Sequence, residues 1–559
     1  MVMKIFPFVV TLLILIILSL VFPRALSRSS RHHHHRHGHR HRDHAGHISR
    51  WCSQTPHPGP CNYYMTRGPD RFTAPRCRSD FRKMLIQLAM ERAVEARRHA
   101  SQLGSSCVNK PQKAAWNDCL KLYDNTVLQL NRTLSGLGGT HNRSCTDIDA
   151  QTWLSSALTN LDTCQSGSSE LNVSDFISPI AYGFNVSELI CNSLAINAAM
   201  LDNQQANDDH DQDRDHQDRD FFPSWVTKKE RRMLESSASA AGIKANLVVA
   251  KDGTGHFRSV QAAINAAGRR RVQSRIVIHV KKGVYRENIE VGVGNNNIML
   301  VGDGLRFTII TSGRSVYAGY TTYSSATAGI DGLRFIAKGI TFQNTAGPQK
   351  AQAVALRSAS DLSVFYRCAF EGYQDTLMVH SQRQFYKQCY IYGTVDFIFG
   401  NAAVVFQNCI IYVRRPLKGQ VNVITAHGRN DPFQSTAIAI QNSQVRAAPD
   451  LRPVLGSFKT YLGRPWKLYS RTVFLKCYLD RLVSPAGWLE WNRTPFALKT
   501  LYYGEYKNFG PASSTRHRVR WPGFHVINSA RVASRFTVGS LISGKSWLPN
   551  TGVPFRAGL

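Results

Sequence analysis

Apolar residues recur at helical spacing in the first two hundred positions and at strand spacing after residue 245. Phe81–Ala100, Ala115–Leu130 (around Cys119 and Leu120), Ile148–Leu161 (around Trp153, Leu154, Ala157 and Leu158) and Phe184–Met200 each carry a one-sided apolar stripe. Amphipathic helices joined by short connections predict an all-α, up-and-down four-helix bundle over residues 51–201. From Ala245 the pattern shortens into β-branched and aromatic runs, such as Arg275–Val280, Ile298–Val301, Thr308–Thr311 and Ile340–Phe342, separated by Gly, Asn and Asp. Four of the later runs read as one repeated unit, beginning at Phe342, Phe365, Phe385 and Phe406, with spacings of 23, 20 and 21 residues. Ile440-Gln441-Asn442 and Val473-Phe474 continue the series at 34-residue steps, as coils with longer loops. A sandwich would need a hairpin turn every 8–12 residues or so. The longer period predicts an all-β solenoid over 245–559, a parallel β-helix whose coils stack like rungs.

That period also spaces polar side chains. Asp375 and Asp396 lie 21 residues apart, and Gln352 and Gln374 lie 22 apart. One coil brings such positions onto neighbouring strands about 4.8 Å apart, so two carboxylates and two carboxamides are expected on one patch. Leu462-Gly463-Arg464-Pro465-Trp466 adds a guanidinium beside an indole. Like charges this close push one pKa upward, leaving one carboxyl protonated and the other ionised. Arg464 would select the ionised one, and the carboxamides would hold an oxyanion.

Outside these parts the chain changes character. Lys4 precedes a charge-free run from Ile5 to Phe22, so residues 1–28 read as a signal peptide or an uncleaved signal-anchor. Residues 29–50 are a His/Arg-rich low-complexity spacer with nine histidines between His32 and His47. Residues 202–244 form an acidic linker, with eight aspartates by residue 220 and then Arg231-Arg232, a dibasic pair suited to a processing protease. Sequons at Asn131, Asn142, Asn172, Asn185 and Asn492 predict glycosylation on the secretory route. The 12 cysteines then read as partly disulfide-bonded, with Cys52–Cys61 closing a loop and Cys119–Cys164 stapling two helices. A balance of 69 Lys+Arg against 37 Asp+Glu suits an extended polyanion. The sequons direct that reading to an acidic polysaccharide and away from nucleic acid.

Val248–Phe257, Gly283–Glu287, Gln352–Leu356, Gly372–Leu377, Gly393–Asn401, Leu462–Trp466 and Trp488–Trp491 together resemble the plant pectin methylesterases, carbohydrate esterases built on a right-handed parallel β-helix. The helical part is similar to the pectin methylesterase inhibitor domain, through Cys52–Cys61, the Cys119/Cys164 pair and the helical pattern. The resemblance implies hydrolysis of pectin methyl esters to methanol, with Asp396 as nucleophile, Asp375 as acid and then base, and Gln352 and Gln374 around the oxyanion. It implies that Arg464 orients Asp396, and that Thr322, Gln352, Arg464, Trp466, Trp488, Phe397 and Phe399 bind substrate. No metal or cofactor is implied. It further implies secretion to the cell wall, with the membrane reached only transiently or through the N-terminal anchor, and an inhibitor-like domain restraining the enzyme until the linker is cut. A disulfide between Cys389 and Cys409 is expected within the β part. Met378, Ala351 and Ala328-Gly329 depart from the family pattern without touching the catalytic set, which bears on subsite preference rather than reaction type.

Two other classes fit part of this pattern. Carboxylates about 5 Å apart also suit a retaining glycosidase, whereas a lyase would hold Ca²⁺ with several carboxylates, and only two converge here. A non-catalytic wall-binding module would not need both aspartates, both glutamines and Arg464. Methanol release separates the esterase from all of these.

Overall fold

The computed structural model describes residues 47–67, 72, 74–138, 144–208, 244–270 and 274–559. The leader, most of the histidine-rich stretch, Asn142, the linker beyond residue 208 and Arg231-Arg232 lie outside the described residues. By its contacts the chain divides after residue 47, and residues 48–559, which carry the helices and the strands together, form one compact unit.

The helical part comprises α1 (Pro58–Thr66), α2 (Arg78–Leu103), α3 (Lys110–Gly136), α4 (Asp147–Glu170), α5 (Ser174–Tyr182) and α6 (Val186–Asp208). Each of the four expected apolar stripes falls on one of the long helices α2, α3, α4 and α6. Their starts follow local chemistry. Asn109 caps α3 by accepting from the Gln112 N–H, and Thr146 and Asp149 form a reciprocal capping box on α4. Phe81, Leu85, Ala89, Leu122, Leu154 and Leu194 fill the core, each large side chain contributing about 1.5–3 kcal/mol by leaving water. Both expected staples are present: Cys52–Cys61, and Cys119 on α3 with Cys164 on α4. A buried Arg82–Asp147 pair at 2.5 Å is shared with Asn197 at 2.6 Å, so neither charge stands alone. Asn131 and Asn172 are exposed on the helical part and Asn492 on the strand part. The half-buried Asn185 accepts from the Tyr64 hydroxyl.

Residues 247–526 wind into three entirely parallel sheets of eleven, seven and eight strands, the arrangement of a parallel β-helix. In the eleven-stranded sheet Phe365 pairs with Tyr386 and Tyr386 with Phe406, at register steps of 21 and 20 residues. This corrects the repeat alignment. Phe385 pairs with Val364, one position off the aromatic row, and Phe342 pairs with Phe370 in the eight-stranded sheet. Most coils contribute a strand to each sheet, and aromatic residues begin runs in more than one of them, so spacing alone cannot assign a phenylalanine to its sheet. Inside the coils the Phe365, Tyr386 and Phe406 rings stack at 4.6 Å.

Cys389 and Cys409 are a second correction, because both are free thiols. They point into the packed interior along with Cys368 and Cys477, where their S–H groups meet main-chain carbonyls; Cys389 Sγ lies 3.2 Å from Phe365 O. Burial there pushes the Cys389 thiol well up, away from the thiolate that oxidation requires. The residue before each of these cysteines (Arg367, Gln388, Asn408 and Lys476) takes a left-handed φ of 50–57° that turns the coil at one corner.

Candidate active site

The seven-stranded sheet carries the polar ladder. Its central strands, Leu356–Ser358, Leu377–Val379 and Ile398–Gly400, pair in register, with Leu356 opposite Leu377 and Leu377 opposite Ile398. Asp375 and Asp396 each precede a strand by two positions, so the 21-residue register brings them to the same level of adjacent coils. Both hold left-handed backbone, at φ 60° and 50°, a region that Asp tolerates better than most residues. The Asp375 N–H donates to Val395 O at 3.0 Å, tying the two corners together. Gln352 and Gln374, 22 residues apart, sit one position out of that register. Both nevertheless line the same cleft, a cavity of about 640 Å³.

Arg464 forks onto Asp396: Nε donates at 2.9 and 3.1 Å to its two oxygens and Nη2 at 2.5 Å to Oδ2. The same guanidinium lies 4.5 Å above the Trp491 ring. Burial raises the Asp396 carboxyl, opposed by Arg464. Burial, the Asp396 charge and the Glu170 charge raise Asp375 further, well above the carboxylate range. Both carboxyls are raised, Asp375 by more, and the Arg464 fork favours the negative charge on Asp396.

Thr322, Phe399 and Trp466 line the cleft as expected, with the Phe399 and Trp466 rings edge-to-face at 5.9 Å. Gly428 has no side chain because a Cβ there would come within 2.8 Å of the Trp466 indole. Phe397 and Trp488 are not cleft residues. Phe397 points into the β-helix interior, and Trp488 is buried there, stacked 4.2 Å from Tyr503 with its N–H on Glu505. Trp491 takes the place expected of Trp488. In the Trp488-Leu489-Glu490-Trp491 string, Trp488 pairs with Gly463 of the sheet and turns inward, and Trp491, three positions on, reaches the cleft.

The cleft is covered by α4. Met378, Phe399 and Ala426 on its floor share one apolar cluster with the bundle core. Gly167 of α4 passes so near Thr321 that an added Cβ would lie 3.2 Å from its methyl. Tyr323, Ala326 and Val354 join the same apolar cluster, and polar contacts surround it. Thr163 bonds His380 at 2.9 Å, Ser156 bonds Ser381 at 3.0 Å, and Asn401 donates to Thr159 at 2.9 Å. The Trp153 N–H donates to Asp361 at 3.0 Å, and Asp149 pairs with Arg383 at 2.8 Å. Lys121 of α3 reaches Glu290 at 2.8 Å and Asp331 at 2.9 Å. The longer loop expected in the coil of Ile440 also meets α4, where Gln434 donates to Ser155 O at 3.1 Å. At the far end, Glu170 accepts from the Thr322 N–H at 2.8 Å.

A parallel β-helix with a carboxyl pair under an aromatic-lined cleft defines a class, the solenoid carboxylic ester hydrolases that act on polysaccharides. The chain belongs to the pectinesterase family, whose profile matches residues 246–545, and a plant invertase/pectin methylesterase inhibitor profile matches residues 47–196. It is 59% identical over 521 residues to the "Probable pectinesterase/pectinesterase inhibitor 33" of Arabidopsis thaliana, covering 92% of this chain and 86% of that one. It is 52% identical over 512 residues to "Pectinesterase 2" of Citrus sinensis, covering 92% and 95%. Among solved structures it resembles the pectin methylesterase from carrot, with 54% identity and a TM-score of 0.56 over 58% of this chain and all of that one.

Proposed function

We propose that this enzyme demethylates pectin through a covalent acyl-enzyme on Asp396 and that its helical bundle keeps it inactive until the linker is cut. Asp396, held ionised by Arg464, attacks the ester carbonyl. Gln352 and Gln374 receive the charge that develops on the carbonyl oxygen, and Asp375 gives its proton to the departing methoxide, which is too basic to leave unaided. Asp375 then takes a proton from the water that cleaves the acyl-enzyme, restoring both carboxyls. Thr322, Phe399, Trp466 and Trp491 hold the sugar chain. The basic balance of the chain favours an acidic polymer, which accords with action in the cell wall.

The observation that carries this reading is the fork of Arg464 onto Asp396 beside Asp375, a carboxyl that burial and neighbouring charges push well up. In this reading α4, lying across the cleft, keeps a polymer from that pair. A tether keeps the cover at an effective concentration of about millimolar, so cutting near Arg231-Arg232 is what would free the enzyme. Asp396→Ala and Asp396→Asn should each lower methanol release at least about a thousandfold with an unchanged melting temperature. Turnover by a folded Asp396→Ala protein within tenfold of the native rate would exclude the mechanism.

A further inference from the structure

The eight-stranded sheet forms the third side of the solenoid, and its outer positions line up in straight rows along the axis. Tyr390, Ile410, Gln444 and Tyr478 follow one another in one row, and Glu371, Tyr392, Tyr412 and Arg446 in the next. All eight are partly exposed, and none belongs to the apolar clusters under the covers of the other two sides. The Tyr392 and Tyr412 rings stack at 4.8 Å. Arg446 lies 5.0 Å from the centre of the Tyr478 ring, which meets Phe509 edge-on at 5.7 Å.

The corner where the eleven-stranded sheet turns into this one continues the pattern, and the seven-stranded sheet with its cleft has no part in it. Arg367, Gln388, Asn408, Asn442, Lys476 and Lys507 occupy one left-handed position in six successive coils, at φ 48–57°. At about 4.8 Å per coil the row is about 24 Å long. Arg367 bonds Gln388 at 3.2 Å, and Lys387, just inside the row, bonds Asn408 at 2.8 Å. Cations and carboxamides fill the row, and no carboxylate does. Among the described residues Arg367, Lys476, Lys507 and Arg446 form no ion pair, and Glu371 accepts from Gln343 at 2.9 Å.

Like charges in line along one edge lack a counter-charge, and an unbranched polyanion lying along the axis supplies one. The carboxamides and phenol hydroxyls between them suit a polymer that also carries hydroxyls. We propose that this face and its corner are a second binding surface, outside the cleft, for de-esterified galacturonan. The choice of polymer rests on the esterase reading above, in which that polymer is the product. The surface holds the protein on a stretch already demethylated. Because α4 lies over a different sheet, it is open in the intact chain as well.

The test therefore uses the intact, uncut chain, titrated by calorimetry with dodecagalacturonate and, separately, with polyglutamate of similar charge. The native chain should bind the sugar. Arg367→Asn, Lys476→Asn and Lys507→Asn combined, which suit left-handed backbone, should weaken that binding about tenfold or more. Removing the exposed charges of Lys244, Arg269 and Arg270 by alanine substitution should leave it within about twofold. Tyr390→Phe with Tyr412→Phe should weaken the sugar about threefold and leave polyglutamate unchanged. Melting temperatures check that each variant is folded. No binding by the native chain, native affinity in the corner variant, or an equal loss in the control variant overturns the proposal. So does a tyrosine pair that treats sugar and polyglutamate alike, because the surface would then be a charge patch only. Methanol release is measured on native chain cut within residues 209–243. If it releases none, the esterase reading fails, while the titrations still decide whether the surface binds galacturonan.

Discussion

Two faces of the β-helix are covered by helices, one mainly through apolar contacts and the other through a mixture of polar and apolar ones. Over the eleven-stranded sheet, the C-terminal segment packs Ala533, Phe536, Val538, Ile542, Trp547 and Leu548 against Val277, Val301, Phe385, Val405 and Val473 in a continuous apolar cluster. Over the seven-stranded sheet, α4 and its neighbours meet hydroxyls, amides and ion pairs as well as an apolar patch of Tyr323, Ala326, Val354, Met378, Phe399 and Ala426. A surface that must never be exposed is sealed with hydrocarbon. One that must function once uncovered has to remain stable in water, so its cover binds through groups that water can replace. On the function proposed above, the more polar cover is the removable one and the apolar cover belongs to the permanent fold.

The largest effect that would sharpen this contrast is on the permanent side. Phe536, nearly buried and stacked 5.3 Å from Tyr502, should cost about 3–5 kcal/mol when changed to Ala. Thermal melting would show this, with retention of the bundle on the cut chain unchanged. Loss of bundle binding in Phe536→Ala would break the distinction between the covers.

A smaller effect is expected from pH on the removable side. Asp162 is raised to about 6 in the docked state from its ordinary 3.8, so docking takes up a proton between those values. The cover should hold best below about pH 4, loosen as pH rises towards 6, and level off above. Glu170, facing Thr322 and Asp118, and Asp118, facing Thr321, Ser324, Arg357 and Lys121, are raised by burial and act in the same direction. Size-exclusion chromatography of the cut chain from pH 4 to 7 would show the trend, and Asp162→Asn should flatten it.

The smallest effect concerns one bond. Asp149→Asn should weaken docking by about 1 kcal/mol, roughly fivefold. Arg383 keeps its second partner, Asp361, at 2.8 Å, and an asparagine retains the acceptor oxygen that caps α4. A drop above a hundredfold in surface-plasmon titration would mean that the cover depends on single ion pairs rather than on many exchangeable contacts.

What could be read from the sequence follows the same division. The four long helices, the parallel solenoid and the Asp375/Asp396 level were legible because periodicity encodes them directly. The Phe342 and Phe385 assignments slipped because aromatic residues recur in more than one strand of a coil, and nothing in a one-dimensional period says which strand is which. Trp488 was misplaced against Trp491 because inward and outward positions alternate in a segment that forms no regular strand. The face of α4 that meets the cleft was also missed. Its Thr152, Ser155, Ser156, Thr159 and Thr163 look like a solvated stripe, and only the tertiary structure shows that they are buried. Their density of small hydroxyl residues on a helix buried nearly all round was the available signal.

The placement of the sulfur atoms has a consequence for chemical environment. Both disulfides lie in the bundle, whereas Cys368, Cys389, Cys409 and Cys477 are reduced and sealed inside the coils. Each crosslink contributes about 2–4 kcal/mol to the part that contains it. A reducing solution would therefore loosen the bundle and leave the solenoid intact, so the bundle depends on an oxidising environment in a way that the solenoid does not.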